Sequence, residues 1–176
     1  GGLIWRPGVF FSPGHAWLEP REGGALRVGL DDLAQHVLSR ISEVILPSPG
    51  QVVRAGEPAA IIRAGRRRAA VPAPVTGRVH ADNRSVETNP LRMHNDPYAG
   101  GWLYTVQPED ASYATLPRGD ESRAWFSREA MRLSQFFEHQ LGMAAADGGE
   151  LVAPGPSLLT QSQWEEMTQS FLQAST

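Results

Sequence analysis

The stretch ISEVILPSPGQVVRAGEPAAIIRAGRRRAAVPAPVTGRVH, residues 41–80, carries the fold. Its apolar runs are short and punctuated by Pro and Gly: Ile41–Leu46, Gln51–Val53, Ala59–Arg63, Arg68–Val71 and Gly77–His80. None is long enough for a helix and each is bounded by turn formers, so each predicts a strand. Strands this short and this closely spaced predict a small barrel or sandwich. Within the stretch, Pro49-Gly50-Gln51-Val52-Val53 and Val75-Thr76-Gly77-Arg78-Val79 read as two versions of one device, a turn glycine leading into an alternating strand, 27 positions apart. The repeat hints at two quasi-equivalent halves.

Upstream, the opening through Pro20 is rich in aromatics and turn formers. Arg21 to Gly24 predicts a hairpin turn into a strand at Ala25–Gly29. Asp31 and Asp32 suit the cap of a short helix at about 30–39, with Leu30, Leu33, Ala34, Val37 and Leu38 at helical spacing. Downstream, a second helix is expected near Glu87–His94, then a closing strand at Gly101–Val106 that Pro108 ends. Asp120 to Leu141 contains no Pro or Gly, and Phe126, Ala130, Leu133, Phe137 and Leu141 form an amphipathic stripe. A turn-rich stretch from Ala145 to Pro156 leads to a last helix carrying Trp164, Met167, Phe171 and Leu172. The expected division is a β module at 1–112 and a C-terminal helical extension at 113–176, whose helices pair with each other or clamp the module.

Composition removes whole classes of chemistry. The chain has no cysteine, hence no disulfide, thiolate metal site or cysteine nucleophile. All 16 basic residues are Arg, so no side-chain amine is available for an amide or a Schiff base. Residues 1–100 carry 12 Arg against 9 acids, whereas residues 101–176 carry 4 Arg against 10 acids. The two parts attract each other or face different partners. Neither resembles the dense basic patch of a nucleic-acid binder, and no nucleic-acid partner is expected. No apolar run reaches the roughly 18 residues needed to span a bilayer. The start at Gly1 without an initiator Met leaves room for a leader or membrane anchor ahead of it, so the expected location is cytoplasmic, with membrane association open through such a segment. The histidines at 15, 36, 80, 94 and 139 lack ligand-pair spacing, and no metal is expected. His15 reads as a structural hydrogen-bonder and Asp31-Asp32 as caps. No Gly-x-Ser-x-Gly elbow is present, and Asp147-Gly148-Gly149-Glu150 reads as an interhelical turn. Trp125, Phe126, Phe136, Phe137, Trp164 and Phe171 are expected to bury the C-terminal helices, with Trp125 and Phe136 off the main face and open to a partner.

Ordered motifs from His15 to Pro108 resemble the H protein of the glycine cleavage system. Gly14-His15-Ala16-Trp17 is similar to that family's His-x-Trp opening, Val28-Gly29-Leu30-Asp31-Asp32-Leu33-Ala34-Gln35 to its Val-Gly-Ile-Thr-x-x-Ala-Gln, and Leu46-Pro47 to its Leu-Pro. Gly50-Gln51-Val52-Val53-Arg54-Ala55-Gly56-Glu57 resembles Gly-x-x-Val-x-x-Gly-Glu, and Ala73-Pro74-Val75-Thr76-Gly77 resembles Ala-Pro-Val-Ser-Gly. Asn95-Asp96-Pro97-Tyr98-Ala99-Gly100-Gly101-Trp102-Leu103 resembles Asn-x-Asp-Pro-Tyr-x-x-Gly-Trp-Leu. The resemblance implies a mainly β fold with α elements, a lipoyl-type barrel-sandwich hybrid of two small sheets.

It also implies a lipoyl lysine at a hairpin tip, seven residues before the alanine of Ala-Pro-Val-Ser-Gly. Counting back from Ala73 gives Arg66, and the glutamate expected three residues earlier is Arg63. A guanidinium cannot take the place of the amine, so the carrier motif is lost as a unit and no cofactor, lipoyl or biotinyl, is expected. Two readings of the tip stay open: a solvated hairpin end that deters edge pairing, or a docking surface in which Arg63, Arg66, Arg67 and Arg68 meet an acidic protein partner. The expected function is a non-catalytic interaction module, an adaptor or accessory subunit of a larger redox or metabolic complex. The alternative is an accessory component of glycine cleavage that binds its enzymes without carrying the aminomethyl group.

Overall fold

The computed structural model describes residues 2–141 and 156–175, so the expected turn at Asp147–Glu150 and most of the stretch from Ala145 lie outside the described residues. In chain order the strands and helices are β1 (Phe10–Phe11), β2 (Ala16–Pro20), β3 (Leu26–Leu30), α1 (Asp32–Leu38), β4 (Glu43–Ile45), β5 (Val52–Val53), β6 (Pro58–Ala64), β7 (Arg67–Pro72) and β8 (Gly77–Asp82). They continue with α2 (Arg84–Thr88), α3 (Leu91–Asn95), β9 (Tyr104–Pro108), α4 (Asp120–Leu141) and α5 (Gln161–Leu172). One sheet runs β1-β2-β3-β9-β8-β5 and the other β4-β6-β7, with neighbours antiparallel in both. Neither closes on itself. Val28, Val53, Val79 and Val106 of the first meet Val44, Ile62, Ala69 and Val71 of the second in one buried cluster, the expected barrel-sandwich arrangement.

The two similar segments pair with each other. Val52 lies opposite Arg78 and Val53 opposite Gly77, and Gly50 N–H donates to Val79 O at 2.7 Å while Val79 N–H donates to Gln51 O at 2.8 Å. An antiparallel pair relates its strands by a local twofold, as the repeat suggested. The likeness stops at the glycines. Gly50 adopts φ +88° in a turn, whereas a Cβ on Gly77 would meet Gln107 O at 2.1 Å.

Three quoted motifs converge on Trp17. Its ring lies over Gly29, its cross-strand partner, where a Cβ would come within 2.4 Å of the indole. Its Nε1–H donates to Pro97 O at 2.9 Å. Tyr98, next in sequence, donates its hydroxyl to Ile4 O at 2.6 Å and accepts from Asp32 N–H at 3.3 Å. The His-x-Trp, Val-Gly and Asp-Pro-Tyr segments are thus parts of one packing unit.

Two expectations are corrected. The single helix near Glu87–His94 is two short ones, α2 and α3, because Pro90 cannot donate into a continuous helix and its ring disfavours helical backbone at Asn89. The closing strand begins at Tyr104 and not at Gly101. Gly101 is used in a turn, its N–H donating to Asp96 O at 2.8 Å, and the strand runs on to Pro108.

The helix α4 spans the residues expected of it, with Phe126 and Leu133 buried. A capping box starts α5: Thr160 Oγ1 accepts from Gln163 N–H and Gln163 Oε1 accepts from Thr160 N–H. The buried face of α5, Trp164, Met167, Phe171 and Leu172, packs on α1, β7 and α4, each side chain worth roughly 1.5–3 kcal/mol. These residues join the same core as the sheets, so both C-terminal helices rest on the β module as well as on each other. Beyond α5, Ser175 pairs with Ala70 through two backbone hydrogen bonds of 2.7 and 3.0 Å, covering the outer edge of β7.

Replacing Gly29 by Ala sets a methyl against the Trp17 ring, and urea unfolding should show a loss of about 1–3 kcal/mol. An unchanged midpoint would mean that the indole is free to move aside.

Candidate functional site

The hairpin of β6 and β7 closes through a two-residue turn. Ala64 pairs with Arg67, leaving Gly65 and Arg66 at the tip, and Gly65 takes φ +65°, the left-handed value needed at the first position of such a turn. Arg66 stands exposed there with no ion pair or hydrogen bond among the described residues.

Successive side chains on a strand point to opposite faces, and the four arginines separate accordingly. Arg63 lies opposite Arg68 on β7 and opposite Glu43 on β4. Two like charges directly opposite each other destabilise a hairpin. Glu43 relieves this by pairing with Arg63, Oε2 to Nε 3.3 Å. Arg67 faces the other way, onto the C-terminal segment. Its guanidinium donates to Pro156 O at 3.1 Å and to Leu159 O, and lies 5.7 Å from the centre of the Trp164 ring. The structure therefore brings Arg63, Arg66 and Arg68 to one end of the hairpin and commits Arg67 to holding α5. Strand alternation could have separated Arg67 from Arg66 and Arg68 in advance; its partners could not be read from sequence.

A second polar centre lies inside the molecule. His15 is fully buried, with Nδ1 2.6 Å from Asp31 Oδ2 and Nε2 2.8 Å from Glu129 Oε1. With both carboxyl groups ionised they can only accept, and both ring nitrogens then donate as an imidazolium. Burial alone pulls its pKa down, but Asp31 and Glu129 outweigh that and carry it up to about 9. Burial in turn pushes the Asp31 carboxyl up, against the opposing pull of the imidazolium. Glu129 also resists burial: its hydrogen bonds from Arg132 and His15 bring it down to about 2. Asp31 Oδ1 caps α1 by accepting from Ala34 N–H at 2.9 Å, and Trp125 stacks on the imidazole at 4.8 Å. Arg132 continues the chain of contacts to α5, donating to Ser170 Oγ at 2.9 Å and lying 3.8 Å from the centre of the Phe171 ring. The expectation of a structural His15 and a capping Asp31 agrees with this geometry, whereas Glu129, 114 positions away, carried no signal in the sequence.

The remaining candidates do not assemble into chemistry. His36 and His94 approach to 6.5 Å between ring centres, but among the described residues no group of three or more His, Cys, Asp or Glu side chains is placed to hold a metal ion. No helix among the described residues is long and apolar enough to cross a membrane. Of the C-terminal aromatics, Phe126, Trp164 and Phe171 are buried, while Trp125, Phe136 and Phe137 are half-buried.

Residues 9–124 match the family described as Glycine cleavage H-protein. The glycine cleavage system H protein of Psychrobacter sp. (strain PRwf-1) is 34% identical over 111 residues, 62% of this chain and 88% of that protein. Its counterpart in Thermus thermophilus is 35% identical over 101 residues, 57% of this chain and 78% of that protein. The crystal structure of a glycine cleavage system H protein from Mycobacterium marinum superposes with a TM-score of 0.62 at 26% identity, covering 70% of this chain and 99% of that one.

The buried imidazolium sets a pH dependence. Its pKa is about 9 in the fold against 6.5 unfolded, so its stabilisation is complete below pH 6.5 and lost as pH rises through about 9. Tyr98 and Tyr104, both pushed upward by burial, stay protonated through this window. Stability from denaturant unfolding should fall by on the order of 2–3 kcal/mol between those limits. The decline should vanish in His15→Gln; a flat wild-type profile would contradict the imidazolium.

Proposed function

Since the chain belongs to the glycine cleavage H-protein family, we propose that it is a member without the lipoyl arm, a non-catalytic interaction module serving as an adaptor or accessory subunit of a larger redox or metabolic complex. One observation carries this reading: the chain contains no lysine, and the exposed hairpin tip, at the position that counting from Ala73 assigns to the lipoyl lysine, is Arg66. Amide attachment needs a nucleophilic amine, and a guanidinium stays protonated at any pH the protein survives. The same charge suits binding, because a guanidinium meets carboxylates through two parallel hydrogen bonds.

Arg66 and Arg68, neither with an ion pair among the described residues, are the proposed contacts with an acidic partner, and Arg63 adds charge although Glu43 holds it. Arg67 serves through the C-terminal segment it retains. Because the family match covers most of the β module, the partner enzymes of glycine cleavage are the alternative clients, bound without transfer of an aminomethyl group.

Coexpression with a lipoyl ligase and lipoate should leave the intact mass unchanged, and an added lipoyl mass would overturn the arm-less reading. Immobilised protein offered glycine decarboxylase separates the two settings: saturable retention favours the glycine-cleavage role, and none favours a different complex. In either setting, reversing Arg66 and Arg68 to Glu should weaken partner binding about tenfold or more and reduce its sensitivity to salt.

A further inference from the structure

Two adjoining clefts lie beside the hairpin tip, one of about 470 Å³ and one of about 510 Å³. They share Ser39, Arg40 and Pro156 in their linings, so they form one groove. It runs from the Gly65 turn and Trp164, past the end of α1, to His36, Leu91 and His94. Neither lobe is enclosed. We infer that this groove docks an acidic, apolar peptide segment of a partner protein, an inference that rests on the reading of the chain as an interaction module.

Charge is the first argument. Among the described residues no Asp or Glu lines either lobe, while Arg40 and Arg67 both do. Arg40 stands exposed at the junction without an ion pair among the described residues. Arg67 is hydrogen-bonded to backbone carbonyls and to no carboxylate among the described residues, so its charge is oriented by neutral partners there. Such a surface favours a negative occupant and disfavours a positive one. The apolar requirement comes from the walls. Leu91 is 61% exposed, and Ile41, Pro90 and Pro156 continue its surface along the second lobe.

Shape decides between a peptide and a simple carboxylate. An open groove suits an extended chain better than a small ligand, which binds best where most of its surface is enclosed. Pro156, Ser157 and Trp164 build one wall, and they lie beyond the residues 9–124 that match the family. That wall is supplied by this chain's C-terminal segment.

The test pans the intact protein with a random dodecapeptide display library, using Arg40→Glu as the counter-selection target. Recovered sequences are then measured as labelled synthetic peptides by fluorescence polarisation. Expected are peptides interleaving Asp or Glu with aliphatic or aromatic residues, weakened roughly tenfold by Arg40→Glu and by Leu91→Glu. Both positions are exposed, and thermal melting checks that each variant folds. No enrichment over the counter-selection, or binding indifferent to Arg40 and Leu91, would overturn the groove. Peptides that depend on Arg66 and Arg68 but not on Arg40 would overturn it while leaving the interaction-module reading intact. Octanoate binding that depends on Arg40, in the absence of any binding peptide, would make the groove a small-carboxylate site and overturn the peptide reading.

Discussion

A single imidazolium between two carboxylates holds the strands and helices together. His15 sits in the turn between β1 and β2 with φ +66°, a left-handed conformation that costs a non-glycine residue roughly 1–2 kcal/mol. The surroundings over-determine it. Asp31 N–H donates to His15 O at 2.9 Å, the Asp31 carboxylate grips the ring and caps α1, and Glu129 reaches the far nitrogen from α4. Removing either acid would strand a buried charge, an error far more expensive than the pair is worth. Every partner is therefore constrained by the others, and this polar link joins the apolar contacts of Phe126 and Leu133 in fixing α4 on the β module.

That arrangement explains why the helical segments act as part of the module. The histidine lies within the family match at residues 9–124, whereas Glu129, Arg132 and the whole of α5 lie beyond it. From Glu129 the contacts pass through Arg132 to Ser170 and Phe171, and from the opposite side Arg67 holds Pro156, Leu159 and Trp164. The C-terminal segment is thus anchored at two separate places, once through the interior and once at the hairpin. The second anchor uses an arginine of the very cluster that distinguishes the tip.

Local patterning made much of this legible. The stretch free of Pro and Gly from Asp120 to Leu141 is one helix because nothing inside it breaks the backbone, and the punctuated run at 41–80 is strands because nothing in it permits a helix. The split at Asn89-Pro90 is equally visible in the sequence, since the missing N–H of proline outweighs the weak apolar stripe that suggests one helix. The site was less accessible. Arg66 at the tip followed from counting back from Ala73 along the family motif, but the pairing of Glu43 with Arg63 needed the strand order, and the contact of Glu129 with His15 needed the packing of α4.

The docking of α5 onto β7 and α1 is an event within one chain, so its occupancy does not depend on protein concentration. Trp164, Met167, Phe171 and Leu172 are all buried in it, and the Arg67 guanidinium lies against Trp164 with its hydrogen bonds made to Pro156 O and Leu159 O. A rival for that guanidinium must displace contacts of the same chain, which dilution does not weaken.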